Sequence, residues 1–267
     1  MNRPLQKITG FTLVELITVM VITGIISMMT VDMIVLPMKS YVDMKRRAEL
    51  VDIAEITLQR MTRDIHHALP NSVRIKDSNG DGKNDHIEIL HTIDGGRYTQ
   101  TGADAFTTST SMTSFGLLKE ISLTNTEATG LNLIVYNLGT GSSADAYQTT
   151  PVQNRSQITG LTDTLISFSS FQFPFSSPQA RFMIVDKAIT FGCISNALYL
   201  KQGYTIAATT PTVTTGDNLL AKNISNCQFN YNPGTSTRPG LVTLEIEITD
   251  SGESISLLHQ VTVENQP

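Results

Sequence analysis

The sequence predicts an α+β protein: one long N-terminal helix followed by a domain built on an antiparallel β-sheet. Three observations carry this prediction. An apolar run over residues 11–31 leads into a stretch in which apolar residues recur every three or four positions as far as Leu69. Beyond Ser72 the apolar period shortens to two. Near the end of the chain two alternating runs, 241–249 and 255–263, flank Asp250-Ser251-Gly252, the pattern of a β-hairpin.

The first element is set by residues 1–31. Residues 1–10, MNRPLQKITG, carry Arg3 and Lys7 and no acid. Residues 11–31 follow, with Glu15 as their one ionisable side chain. These 21 residues form a helix about 31 Å long, enough to cross a bilayer core. A secretory signal would have a shorter apolar stretch and a small-residue cleavage site after it; here the run leads directly into Asp32 and a charged helical stretch. An uncleaved signal anchor accounts for all of this except Gly10 and Glu15. A carboxylate in a spanning segment costs roughly 2.5–3.5 kcal/mol at mid-membrane and needs a reason. Loop charge does not orient the segment, because Lys39, Lys45, Arg46 and Arg47 outnumber Arg3 and Lys7.

The helical pattern continues through Leu50, Ile53, Ala54, Leu58, Met61, Ile65 and Leu69. Arg46, Arg47, Glu49, Asp52, Glu55, Arg60, Arg63 and Asp64 form its solvated face. Pro37 is expected to kink the helix and Pro70 to stop it. Residues 72–76 and 86–91 read as a hairpin around a turn-rich loop. Residues 99–165 are rich in Thr, Ser and Gly, with 131–136 the best strand among them. Phe171, Phe173 and Phe175 alternate as a core strand, followed by strands at 181–185 and 188–191. In the last hairpin Val242, Leu244, Ile246 and Ile248 share one face.

Composition narrows the function. The chain of 267 residues is 16% charged with a net charge of -5, and no basic face suited to nucleic acid stands out. No Ser/His/Asp order, zinc spacing or phosphate loop is present, so an enzyme is not expected. Adjacent His66 and His67 point in different directions on a helix and read as solvated side chains rather than a chelating pair.

The run Gly10-Phe11-Thr12-Leu13-Val14-Glu15 resembles the class III signal of type IV prepilins. The resemblance implies a peptidase that cuts after Gly10 and methylates the new N-terminus at Phe11. It also implies a role for Glu15 in filament assembly, opposite a positive amine; a buried carboxylate paired with an ammonium escapes much of the penalty either suffers alone. Residues 47–74 (RAELVDIAEITLQRMTRDIHHALPNSVR) resemble the helix of large minor pilins and J-type minor pseudopilins. Residues 173–193, 219–231 and 240–267 resemble the O-type minor prepilins of the mannose-sensitive haemagglutinin (MSHA) pilus. The likeness covers most of the chain except roughly 76–86 and 99–165.

The resemblance implies a leader at 1–10, a transmembrane helix at 11–33, its periplasmic continuation at 34–70 and a periplasmic β-rich domain at 71–267. The expected partners are the prepilin peptidase, other minor and major pilins, the inner-membrane assembly platform and the inner membrane. The expected function is a minor pilin in priming or tip assembly of an MSHA-type pilus. The alternatives are a J-type pseudopilin of type II secretion and a calcium-dependent tip adhesin.

The calcium alternative comes from residues 77–88, DSNGDGKNDHIE, which fit the twelve-position calcium-loop pattern. Asp77, Asn79, Asp81 and Asp85 would offer side-chain oxygens, Lys83 its carbonyl and Glu88 two oxygens. The same Asn-Gly and Asp-Gly pairs also suit a plain polar turn. Cys193 and Cys227, 34 positions apart, are either buried free thiols or, in an oxidising compartment, a disulfide.

Overall fold

The structure, a computed structural model, describes residues 10–99, 109–116, 130–149, 153–234 and 238–263. Its architecture is α+β: one long N-terminal helix, α1 (Leu13–His66), and a large antiparallel sheet domain. The chain divides into two compact units, Met1–Glu49 and Leu50–Pro267, and α1 contributes to both.

Over residues 13–31 α1 is apolar on every face, with Glu15 its one charged residue. Leu13, Ile17, Met20, Ile25, Met29, Ile34 and Met38 are all exposed, and so are the apolar residues between them. A helix apolar all round has no solvent face, which is the condition of a buried or membrane-embedded segment. The hydroxyls do not oppose this. Thr18, Thr23, Ser27 and Thr30 each donate to a carbonyl three or four residues back, so their polarity is spent inside the helix. Among the described residues this helix is long and apolar enough to span a membrane. Pro37 lies inside α1 without ending it.

In the second unit α1 buries Leu50, Ala54, Leu58, Met61 and Ile65 against the sheets. Ile53, expected on this stripe, is exposed, and its place is taken by Thr57, whose hydroxyl donates to the Ile53 carbonyl. The helix ends at His66, four residues short of Pro70. The reason is competition from a strand: Leu69 N–H donates to the Leu90 carbonyl and Thr92 N–H to the His67 carbonyl. Pro70 instead opens a turn closed by Ser72 N–H on the Leu69 carbonyl, with Asn71 at φ 59° in the position that demands a left-handed backbone.

Strands β1 (Arg74–Lys76) and β2 (His86–Arg97) form the expected hairpin, with β2 longer than predicted. β2 pairs along β7 (Arg181–Ile194), one continuous strand where two were expected. The apparent break at Asp186 and Lys187 is an irregularity: the register skips Asp186 on β7 and Ile93 on β2.

The region 99–165 contains β3 (Ser109–Thr113), β4 (Asn132–Ile134) and β5 (Arg155–Leu161), joined by β6 (Leu165–Phe171). β6 ends at Phe171, so the predicted strand through Phe173 and Phe175 does not form. Phe173 folds back edge-on against Phe168 and Phe171, while Phe175 is exposed.

After β7 come β8 (Ala197–Gln202) and β9 (Asn218–Lys222), which complete a nine-stranded sheet. A second sheet holds β10 (Ile224–Asn232), β11 (Gly240–Asp250) and β12 (Glu253–Val263). As predicted, Val242, Leu244, Ile246 and Ile248 are fully buried, and they face the same core as α1. The β11–β12 turn places Ser251 and Gly252 at φ 50° and 86°, the right-twisting turn that joins two strands tightly.

Candidate functional site

The N-terminal segment holds the residues expected to be processed. Gly10 and Phe11 are fully accessible ahead of the helix, and the rest of the expected leader lies outside the described residues. Thr12 is the N-cap: its hydroxyl accepts from Glu15 N–H at 3.3 Å and its carbonyl from Leu16 N–H. Thr12 and Glu15 thus have the spacing of a capping box, an assignment open to sequence reading through Thr-x-x-Glu. The carboxylate also sits in the first helical turn, where the helix dipole favours negative charge. The Thr12 cap therefore bonds the Glu15 backbone N–H and leaves the Glu15 carboxylate free for a role between chains.

The loop between β1 and β2 is held by its own side chains. Asp77 accepts from Gly80 N–H and Gly82 N–H, Asn79 from Asp81 N–H, and Asp81 from Lys83 N–H. Asp85 is buried, accepting from Ser78 through both oxygens and pairing with His86 Nδ1. Burial opposes its ionisation, but these bonds outweigh it and hold its carboxyl below the usual range.

Glu88, the expected bidentate ligand, does not serve the loop. It is fully buried, with one oxygen 2.6 Å from Arg74 Nε and the other accepting from the Tyr204 hydroxyl. Glu88 is therefore committed to Arg74 and Tyr204 rather than to the twelfth position of the calcium set. Among the described residues, no three His, Cys, Asp or Glu side chains are grouped to hold a metal. Lys83 reaches across to Asn226 on β10, a contact the sequence pattern did not foresee.

Glu88 belongs instead to a buried network. Arg74 also donates to the carbonyls of Ala207 and Ala208 and lies 3.7 Å from the centre of the Tyr147 ring. Tyr204 shares a hydrogen bond with Thr190, and Tyr147 donates to the Ser72 carbonyl. Burial pushes the Glu88 carboxyl up against the pull of Arg74, and burial with the Glu88 carboxylate nearby pushes the Tyr204 phenol up. The network clamps the segment after β8 onto the face of β2 opposite the helix.

Cys193 on β7 and Cys227 on β10 form a disulfide, so the bridge joins the two sheets. His66 and His67 are exposed, as expected. The His67 ring lies 5.9 Å from that of His91, which pairs with Asp186 at 2.7 Å. The chain matches no protein-family profile, no curated protein and no solved structure.

Proposed function

We propose that the chain is a minor prepilin. It enters the inner membrane through α1, is cut between Gly10 and Phe11 and methylated at Phe11, and joins a type IV filament of the MSHA kind at its priming complex or tip. The observation that carries this reading is the first part of α1. It is apolar on every face, its hydroxyls are satisfied internally, and its only ionisable residue before Asp32 is Glu15, set immediately behind an accessible Gly10–Phe11 bond. Such a segment needs lipid first and other apolar helices afterwards, and a filament core supplies the second. In this reading Leu50–Pro267 is periplasmic, where its disulfide is stable against reduction.

The proposal is tested by the N-terminal sequence and intact mass of the protein with and without a prepilin peptidase. A start at methylated Phe11, seen only with the peptidase, is the expected result. An intact Met1 in both samples would reduce the N-terminal segment to an anchor. Deletion then distinguishes filaments: loss of piliation fits the MSHA reading, and loss of enzyme secretion the J-type pseudopilin.

A further inference from the structure

Strand β7 changes neighbour along one edge. β4 pairs with Met183, Ile184 and Val185, while β8 pairs with Ile189 through Ile194. Residues 186–188 fall between them and pair with neither. β8 ends at this gap and leaves through residues 203–206, and β4 begins at it. Two segments that part from a common strand open a crevice, the geometry that makes ligand clefts at switch points in other sheets.

Here the crevice has a volume of about 420 Å³, within the range of small-ligand sites. Asn132 and Gln157 both line it. They are cross-strand partners, so their carboxamides share a face. Asn132 donates once, to the Gly130 carbonyl, and the Gln157 carboxamide has no hydrogen-bond partner among the described residues.

Asp186 and Lys187 also line the crevice, at the point where the register skip re-aims β7. Asp186 accepts from His91 through one oxygen and lies 3.4 Å from Lys187 Nζ through the other. Arg155, which also lines it, is fixed by the carbonyls of Ala146, Gln148 and Ile206, and Tyr204 lines it as well. Among the described residues the crevice thus combines two adjacent carboxamides, an unpaired stretch of sheet edge and one cation in excess of its anion.

We propose that this crevice binds an extended peptide segment bearing an acidic side chain. The carboxamides of Asn132 and Gln157 bond the peptide's backbone amides, as the edge of a sheet would. Lys187 pairs with its carboxylate. The site is independent of the prepilin reading and stands or falls separately from it.

The test uses the full chain in detergent micelles and titration calorimetry with N-acetyl-Ala-Asp-Ala-amide and its Asn counterpart. The acidic peptide is expected to bind about tenfold more tightly than the neutral one. Lys187→Gln removes that preference, and Gln157→Ala weakens both peptides alike, with both variants still folded by circular dichroism. Saturable binding that shows no preference between the two peptides, or a preference that survives Lys187→Gln, overturns the proposal. So does the absence of binding up to about 10 mM, or tighter binding of glucuronate than of the acidic peptide.

Discussion

Arg74 Nε and Glu88 Oε2 are 2.6 Å apart on the paired strands β1 and β2, and both side chains are shielded from solvent. Removing one member of a buried pair leaves the other charged and unpaired, at a cost of about 3–5 kcal/mol. Arg74→Ala also frees the carbonyls of Ala207 and Ala208 and uncovers the Tyr147 ring. It is therefore expected to fall at the top of that range in urea denaturation, and Glu88→Gln below it. A loss under about 1 kcal/mol for Arg74→Ala, the scale of a surface pair, would mean that the clamp is dispensable.

The disulfide gives a second expectation. Cys193 and Cys227 close a loop of 34 residues between two sheets. In the chain-entropy account, a loop of that length contributes about 3–4 kcal/mol by restricting the unfolded chain. Replacing both cysteines by Ala should lower stability by that amount and leave the secondary structure intact. Two free thiols detected by mass spectrometry after denaturation without reductant would contradict the bridge.

Acid should weaken the domain in a definite window. Burial opposes ionisation of Asp186, but the hydrogen bond and charge of His91 and the charge of Lys187 outweigh it and lower its carboxyl's pKa. Asp85 is shifted the same way by Ser78 and His86, and Asp217 by Thr214 and Lys201, in each case against burial. A lowered folded-state pKa stabilises fully above the unfolded value near 3.9 and progressively less as pH falls through the folded value. Thermal melting should therefore fall as pH drops below about 4. Asp186→Asn should be less stable than the parent at neutral pH and show a shallower acid decline; an unchanged slope would remove Asp186 from the account.

For the loop, Glu88 departs from the sequence pattern. Both oxygens of Asp77 accept from backbone N–H groups, and Glu88 is committed to Arg74. Asp77→Ala should cost about 1–2 kcal/mol through two lost bonds, and calcium should leave the melting temperature of the parent unchanged. A calcium-induced rise that disappears in Asp81→Ala would restore the ion-binding reading.

Where the pattern is local and strongly periodic, the fold was legible in the sequence. The final hairpin, the hairpin around residues 77–85 and the Leu50–Ile65 stripe all have this character. What was not legible depends on distant covers. His86 and Glu88 alternate with the apolar Ile87 and Ile89, yet they too are buried, Glu88 bonded to Tyr204 in the segment after β8. Polar β3 and β5 have no such alternation to announce them. β7 was divided because Asp186 and Lys187 look like a turn, whereas the chain absorbs them as an irregularity. The end of α1 was misplaced because pairing with β2 stops a helix without any breaker residue. At the N-terminus the signal was visible but incomplete: Gly10 and Glu15 stood out, and the Thr12 cap did not.

That cap makes the N-terminal prediction separable into two parts. Glu15 sits at the third helical position with its N–H bonded to Thr12. Thr12→Ala removes the cap alone and should cost the helix about 1 kcal/mol. Glu15→Val keeps the hydroxyl-to-N–H bond and removes the carboxylate. In the proposed filament that carboxylate faces a neighbour's N-terminal amine. Glu15→Val should therefore leave peptidase cleavage intact and reduce incorporation into filaments, while Thr12→Ala, with the carboxylate still present, incorporates nearly as the parent does. Both are read by mass spectrometry of the mature chain and by immunoblot of sheared filaments. Equal losses in the two variants would assign Glu15 to helix capping, and equal incorporation of Glu15→Val and the parent would remove the carboxylate from assembly.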